Sequence, residues 1–201
     1  MAISVSREQL NFIVAISAIL ISVASFYVAY LQANSAEQQV KAMTWPLIEF
    51  THGNYDVETR EKRLTLTLKN AGVGPAIVKS VSFEYQGDSL PSYHHFVQSC
   101  CEKELDQYLK NVREQKEDID AWTLTTSVLD NTILPVGGEV EFLSLVNHPG
   151  NRELWNAVNK ARWDLQLNVC FCSLLENCYI TDRPGSVSEV AQCPNPGGEA
   201  R

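Results

Sequence analysis

The residues with the widest chemical repertoire in this 201-residue chain are its six cysteines and four histidines. Cys170, Cys172, Cys178 and Cys193 gather towards one terminus, whereas Cys100 and Cys101 stand side by side shortly after His94 and His95. Thiols can bond to each other, bind a soft metal or act as nucleophiles. Spacing argues against the metal: "CFC" at 170–172 lacks the C-x-x-C separation, and adjacent residues on a helix point apart. His94 and His95 therefore read as surface side chains and Cys100 and Cys101 as core thiols, with no metal. A catalytic thiol needs a base placed by the fold, and the chain carries no nucleophile elbow, P-loop, kinase set or metal-hydrolase motif. The expectation is a protein with no catalytic residues and no cofactor. The alternative is a thiol-dependent redox protein or enzyme working through Cys170, Cys172 and Cys178.

A strand must position those cysteines. In "RWDLQLNVCFC", Trp163, Leu165, Leu167, Val169 and Phe171 alternate onto one apolar face, which leaves Asp164, Gln166, Asn168, Cys170 and Cys172 on the other. The chain then returns within a few residues to Cys178. Residues opposite each other across an antiparallel hairpin have Cα atoms about 4.5 to 5.5 Å apart, inside the disulfide range. Cys172 with Cys178 is the expected bond, and Cys170 with Cys193 the next. Cys100 and Cys101 stay unassigned, because vicinal cysteines bridge each other poorly. Disulfides persist in oxidising compartments, so the cysteine count favours an extracytoplasmic (periplasmic) domain over a cytoplasmic one.

Alternation recurs from Leu47 onward, the signature of half-buried strands. In "RLTLTLKN", Leu64, Leu66 and Leu68 share one face and Thr65, Thr67 and Lys69 the other; in "AIVKSVSFEY", Val81, Phe83 and Tyr85 alternate with Ser80, Ser82 and Glu84. Between these runs, Asn70, Gly72 and Gly74 are expected to supply positive φ angles, and Pro75 to restrict the chain before the next strand. "GVGPA" lacks the third glycine and the following helix of a phosphate loop. Residues 92–117 are rich in helix formers and charge, predicting a helix inserted between strands and capped near Ser92. Strand signals return in "AWTLTTSVL" and "VEFLSLV" around the turn "LPVGGEV", and "NHPGNRELWNAVNKA" predicts a loop and a short helix. The domain is thus expected over 46–182, with 183–201 a loose tail tethered through Cys193.

The N-terminal part is different. Residues 1–9 form a short flank, after which no charge occurs from Gln9 to Ala36. Leu10 to Leu31 would span roughly 33 Å as a helix, against a hydrocarbon core of about 30 Å, so 10–32 is read as one transmembrane helix in a lipid bilayer. A cleaved signal peptide would have a basic start, a shorter apolar core and a small-residue cleavage site. Residues 33–45 continue as a helical stalk that stops before Pro46. Ala15, Ala18, Ser22, Ser25 and Ala29 fall on one seam, suited to close contact with a partner helix or a second copy. The formal net charge of -8 and the lack of a basic stripe argue against nucleic acid.

The apolar N-terminal helix, the "WPLIEF" lead-in, the "LKNAGVGPAIVKSVSFEY" strand-turn-strand and the "VCFCSLLENCYI" hairpin resemble a diffuse group of bacterial single-pass membrane proteins with an immunoglobulin-like sandwich. The resemblance implies a mainly β, antiparallel immunoglobulin-like fold with one inserted helix behind a membrane anchor. It transfers no catalytic or ligand residue. The functional expectation is a membrane-tethered, non-catalytic binding, accessory or sensing protein.

Overall fold

The computed structural model describes residues 6–114, 123–183 and 186–194. Its contacts divide the chain into two units, Met1–Met43 and Thr44–Arg201. The first is one helix, α1, Arg7–Met43, so the span expected at 10–32 and the stalk expected at 33–45 are continuous. Its start is fixed by a reciprocal cap: Gln9 N donates to Ser6 Oγ at 3.3 Å and Ser6 N to Gln9 Oε1 at 3.2 Å, satisfying N–H groups that an unfinished helix turn leaves open. All described side chains of α1 lie at the surface of this unit, and α1 is long and apolar enough to cross a membrane. The helix ends just before Trp45-Pro46, because proline disfavours helical backbone in the residue before it.

The second unit contains two antiparallel sheets. One holds β1 (Ile48–Gly53), β2 (Arg63–Asn70), β5 (Thr125–Thr126) and β7 (Glu139–Val146) in the order β1-β2-β7-β5. The other holds β3 (Ala76–Tyr85), β4 (Asp88–Leu90), β8 (Leu165–Cys172), β9 (Cys178–Arg183) and β10 (Ser186–Val190), ordered β10-β9-β8-β3-β4, with β6 (Ile133–Leu134) also paired to β3. Helices α2 (Tyr93–Glu114) and α3 (Arg152–Ala161) complete the unit. Leu64, Leu66 and Leu68 are fully buried in one core with Val78, Phe142 and Phe171. The Phe83 and Phe142 rings, 5.8 Å apart, join the two sheets across it.

Several expectations change against this architecture. Ala76 and Val78 face the core, yet so do Phe83 and Tyr85 with the opposite parity. A bulge between Val78 and Ser80 reconciles them, since one extra residue shifts the phase of a strand. Gly72 and Gly74 do not have positive φ, and neither does Asn70. The glycines are needed for close approach instead: a Cβ on Gly72 would collide with the backbone of Pro46 and Leu47, and one on Gly74 with the backbone of Thr44. Trp163 is 69% exposed and precedes β8, whereas Leu165, Leu167, Val169 and Phe171 are buried as a face. Of "AWTLTTSVL", only Thr125–Thr126 pairs as a strand among the described residues. The 183–201 segment supplies β10, which adds an edge strand to β9, so its described part is not a loose tail. Positions 1–5, 115–117, 184–185 and 195–201 of the expected flank, inserted helix and tail lie outside the described residues.

Candidate functional site

The strands end at two opposite edges of this unit. At the near end, where the unit begins at Thr44, Ile48 pairs with Asn70, Ala76 with Leu134, and Cys172 with Cys178. Loops 44–47, 71–75, 135–138, 173–177 and 191–194 meet there. At the far end, Arg63 pairs with Val146 and Tyr85 with Leu165.

Asn70, with no exposed surface, organises the near end. Its Nδ2 donates to Gly74 O at 2.8 Å, Leu134 O at 3.1 Å and Pro135 O at 3.2 Å. Its Oδ1 accepts from Gly72 N at 3.0 Å and Leu47 N at 3.3 Å. The Asn70 backbone bonds in both directions to the next turn, N to Gly138 O and O from Gly137 N. One side chain thus ties three loops together, and each bond satisfies a backbone group that strand pairing leaves open. Gly137, at φ +70, makes the turn that brings those groups within reach.

The cysteines lie at the same end. Cys172 bonds to Cys178 across the β8–β9 register, with Cα atoms 4.0 Å apart, closer than the expected separation. Cys170 bonds to Cys193, at a Cα separation of 5.6 Å, fastening the chain after β10 to β8. Sγ of Cys172 lies 3.8 Å from Sγ of Cys193, so the two disulfides abut. They line a cleft with Lys79, Asn131, Gln192 and Pro194. Lys79 sits beside the β3 bulge, a feature that commonly redirects a side chain. The sulfurs of Cys172, Cys178 and Cys193 lie within 4.8 Å of one another, but all three are spent in disulfides. As placed, the group braces the fold; a metal or a nucleophile would need a thiolate.

Cys100 and Cys101 are bonded to each other. Sequence alone leaves this pair unassigned because vicinal cysteines bridge poorly; here Cys101 departs from helical backbone inside α2, with φ -148 and ψ 33. Cys101 is buried in the core, as expected. His94 and His95 are exposed; His95 Nδ1 lies 2.8 Å from Ser92 Oγ, so that hydroxyl engages a ring at the start of α2. Ala15, Ala18, Ser22, Ser25 and Ala29 are all exposed on α1, and the Ser22 hydroxyl donates back to Ala18 O at 2.8 Å.

The far end carries charge. Arg63 reaches Glu141 at 2.8 Å and Asp56 at 3.5 Å, and its Nε donates to Ser144 Oγ. The Thr59 backbone N–H leads the interactions that hold the Asp56 carboxyl below its usual range. Buried Arg162 donates from Nε to Asn159 O and Oδ1, and its Nη1 pairs with His52 Nδ1. Burial first, and then the Arg162 charge, push the His52 pKa down; burial also lowers that of Arg162. Trp163 stacks 4.6 Å from the guanidinium and edge-on to His52, which explains why an aromatic remains at the surface. None of this cluster was legible as a site, because it joins β1 to the end of α3.

Comparison with family models, with curated proteins and with solved structures finds no match to this chain.

Proposed function

We propose that this chain is a single-pass membrane protein whose immunoglobulin-like sandwich is held on the oxidising side of the membrane as a non-catalytic binding, accessory or sensing module. The observation that carries this reading is the use of all six cysteines in three disulfides, behind a helix apolar enough to span a bilayer. Bridged cysteines brace strands and loops, and they survive where the compartment is oxidising. Alkylation followed by peptide mapping of the chain from its native membrane tests the reading. Six blocked, unreactive cysteines are expected; six free thiols would move the domain to the cytoplasmic side and end it. A reporter fused after Arg201 reads the same sidedness independently.

A second reading, thiol exchange, draws on the 3.8 Å separation of Cys172 and Cys193 sulfurs. An external thiolate that opens Cys172–Cys178 by attack on Cys178 would form a mixed disulfide there and release Cys172 as a thiolate beside Cys193 of the second disulfide. Rapid capture of one mixed disulfide at Cys178 would favour this reading, and uniformly slow reduction of both bonds would exclude it.

The partner of α1 is proposed to be a second helix packed on the small-residue seam. Replacing Ala18, Ser22 and Ser25 by Leu should weaken association in a membrane two-hybrid measurement, while Leu at Val14 and Val23 should not. Equal loss from both sets would reject the seam.

A further inference from the structure

Five loops meet at the near end, 44–47, 71–75, 135–138, 173–177 and 191–194, and Glu176 is their only charged residue. Their tips nevertheless reach solvent with apolar side chains: Val73 is 61% exposed, Val136 55%, Leu174 59%, Leu175 49% and Trp45 40%. Exposed apolar side chains scattered singly need no explanation, but five of them on loops that share a single charge do. The far-end loops 54–62 and 162–164 also expose Tyr55, Val57 and Trp163, but set them among Asp56, Glu58, Arg60, Glu61, Lys62 and Asp164.

We infer that the near end of the domain rests in the interfacial layer of the bilayer, with Val73, Val136, Leu174, Leu175 and Trp45 inserted among the lipid headgroups. This rests on the reading of α1 as a membrane span. The occupant follows from chain continuity: the near end begins at Thr44, the residue directly after α1. A helix of 37 residues is about 55 Å long, against about 40–45 Å for a bilayer with its headgroups. A tilt of 40°, the upper end of the range seen for membrane helices, shortens its projection to about 42 Å. Thr44 then emerges at the headgroup layer, and the loops around it meet the same layer. Tryptophan and short aliphatics gain there from burying apolar surface, and loops with a single charge lose little by leaving water. The tight bracing by Asn70 and the two disulfides keeps the tips presented together, so insertion orders few additional groups.

Because all six cysteines are bridged, a single introduced cysteine is a selective labelling site. The full chain is reconstituted in phosphatidylcholine nanodiscs as Val73→Cys, Val136→Cys or, at the far end, Val57→Cys, a position 78% exposed. Each is labelled with an environment-sensitive fluorophore, with label uptake by the unsubstituted chain as background. Labels at 73 and 136 should emit to the blue of the label at 57. Quenching by lipid-borne spin labels should be roughly threefold stronger at 73 and 136, as interfacial insertion requires. Equal, iodide-accessible signals at all three positions would overturn the inference while leaving the anchor intact. A blue shift without lipid quenching would place protein against this end and overturn the lipid assignment. A chain that does not incorporate into the discs would overturn the anchor and this inference with it.

Discussion

The two ends of the domain join antiparallel strands by opposite chemistry. At the near end the loops are held by one buried amide, Asn70, by glycines whose missing Cβ atoms let backbone approach backbone, and by two abutting disulfides. At the far end they are held by ion pairs around Arg63 and by the Arg162–His52–Trp163 stack. Neutral hydrogen bonds and covalent links do not weaken with salt, whereas exposed ion pairs do. The near end should therefore hold its shape independently of ionic strength, and the far end should not.

The largest expected effect breaks the near end at its hub. Asn70→Ala leaves buried carbonyls and N–H groups without partners and should cost about 3 kcal/mol, a fall of roughly 6 to 12 °C in Tm for a domain of this size. Asn70→Asp keeps the acceptor and loses the donor to three carbonyls, so it should not restore stability. Differential scanning calorimetry of the full chain in detergent checks both. An unchanged Tm would mean that the loops are held by the strands alone. Next comes the covalent brace: replacing Cys172 and Cys178 together by Ala should cost about 2 kcal/mol, as expected for so short a closed loop. The same calorimetry under reducing and oxidising conditions should show the loss only in the oxidised state.

The hairpin cysteines were legible in sequence because alternation fixes which residues share a face and a short return fixes which lie opposite. The leucine face of β2 and the break at Pro46 were legible for equally local reasons. Asn70 was read as a turn residue, since nothing nearby in sequence reveals bonds to Leu134 and Pro135. Gly72 and Gly74 were assigned the wrong necessity for the same reason: close approach to 44–47 is a long-range fact. Position 101 departs from helical backbone inside a run of helix formers, so periodicity could not foresee the Cys100–Cys101 bond. Arg162 and His52, 110 residues apart, became neighbours only through the β7–α3–β8 crossing.

A smaller effect probes the far end. Arg63→Ala removes contacts to Asp56, Glu141 and Ser144; with the side chain partly exposed, the loss should be about 1 kcal/mol or less. It should shrink further in about 1 M salt, where screening acts within a few ångström. Denaturation at low and high salt measures this. A cost that ignores salt would place Arg63 with the near end in kind, its alkyl stem rather than its charge supplying the stability.

The smallest effect concerns pH. His52 has its pKa lowered from 6.5, first by burial and then by Arg162, so the unfolded chain takes up this proton more readily than the folded one. Stability linked to His52 is therefore complete above about pH 6.5 and drains away as pH falls through the lower folded value. Protonation would set an imidazolium against the Arg162 guanidinium, so that this contact turns from hydrogen bond to repulsion. His52→Gln retains a side-chain acceptor for Arg162 and removes the titration. Its unfolding free energy, followed between about pH 7.5 and 5, should fall less steeply than that of the unsubstituted chain, with the two curves converging at the acid end. Parallel curves would show that the His52 proton is not linked to folding. The far end would then owe its pH response to Asp56, whose lowered carboxyl pKa acts in the more acidic window below about pH 4.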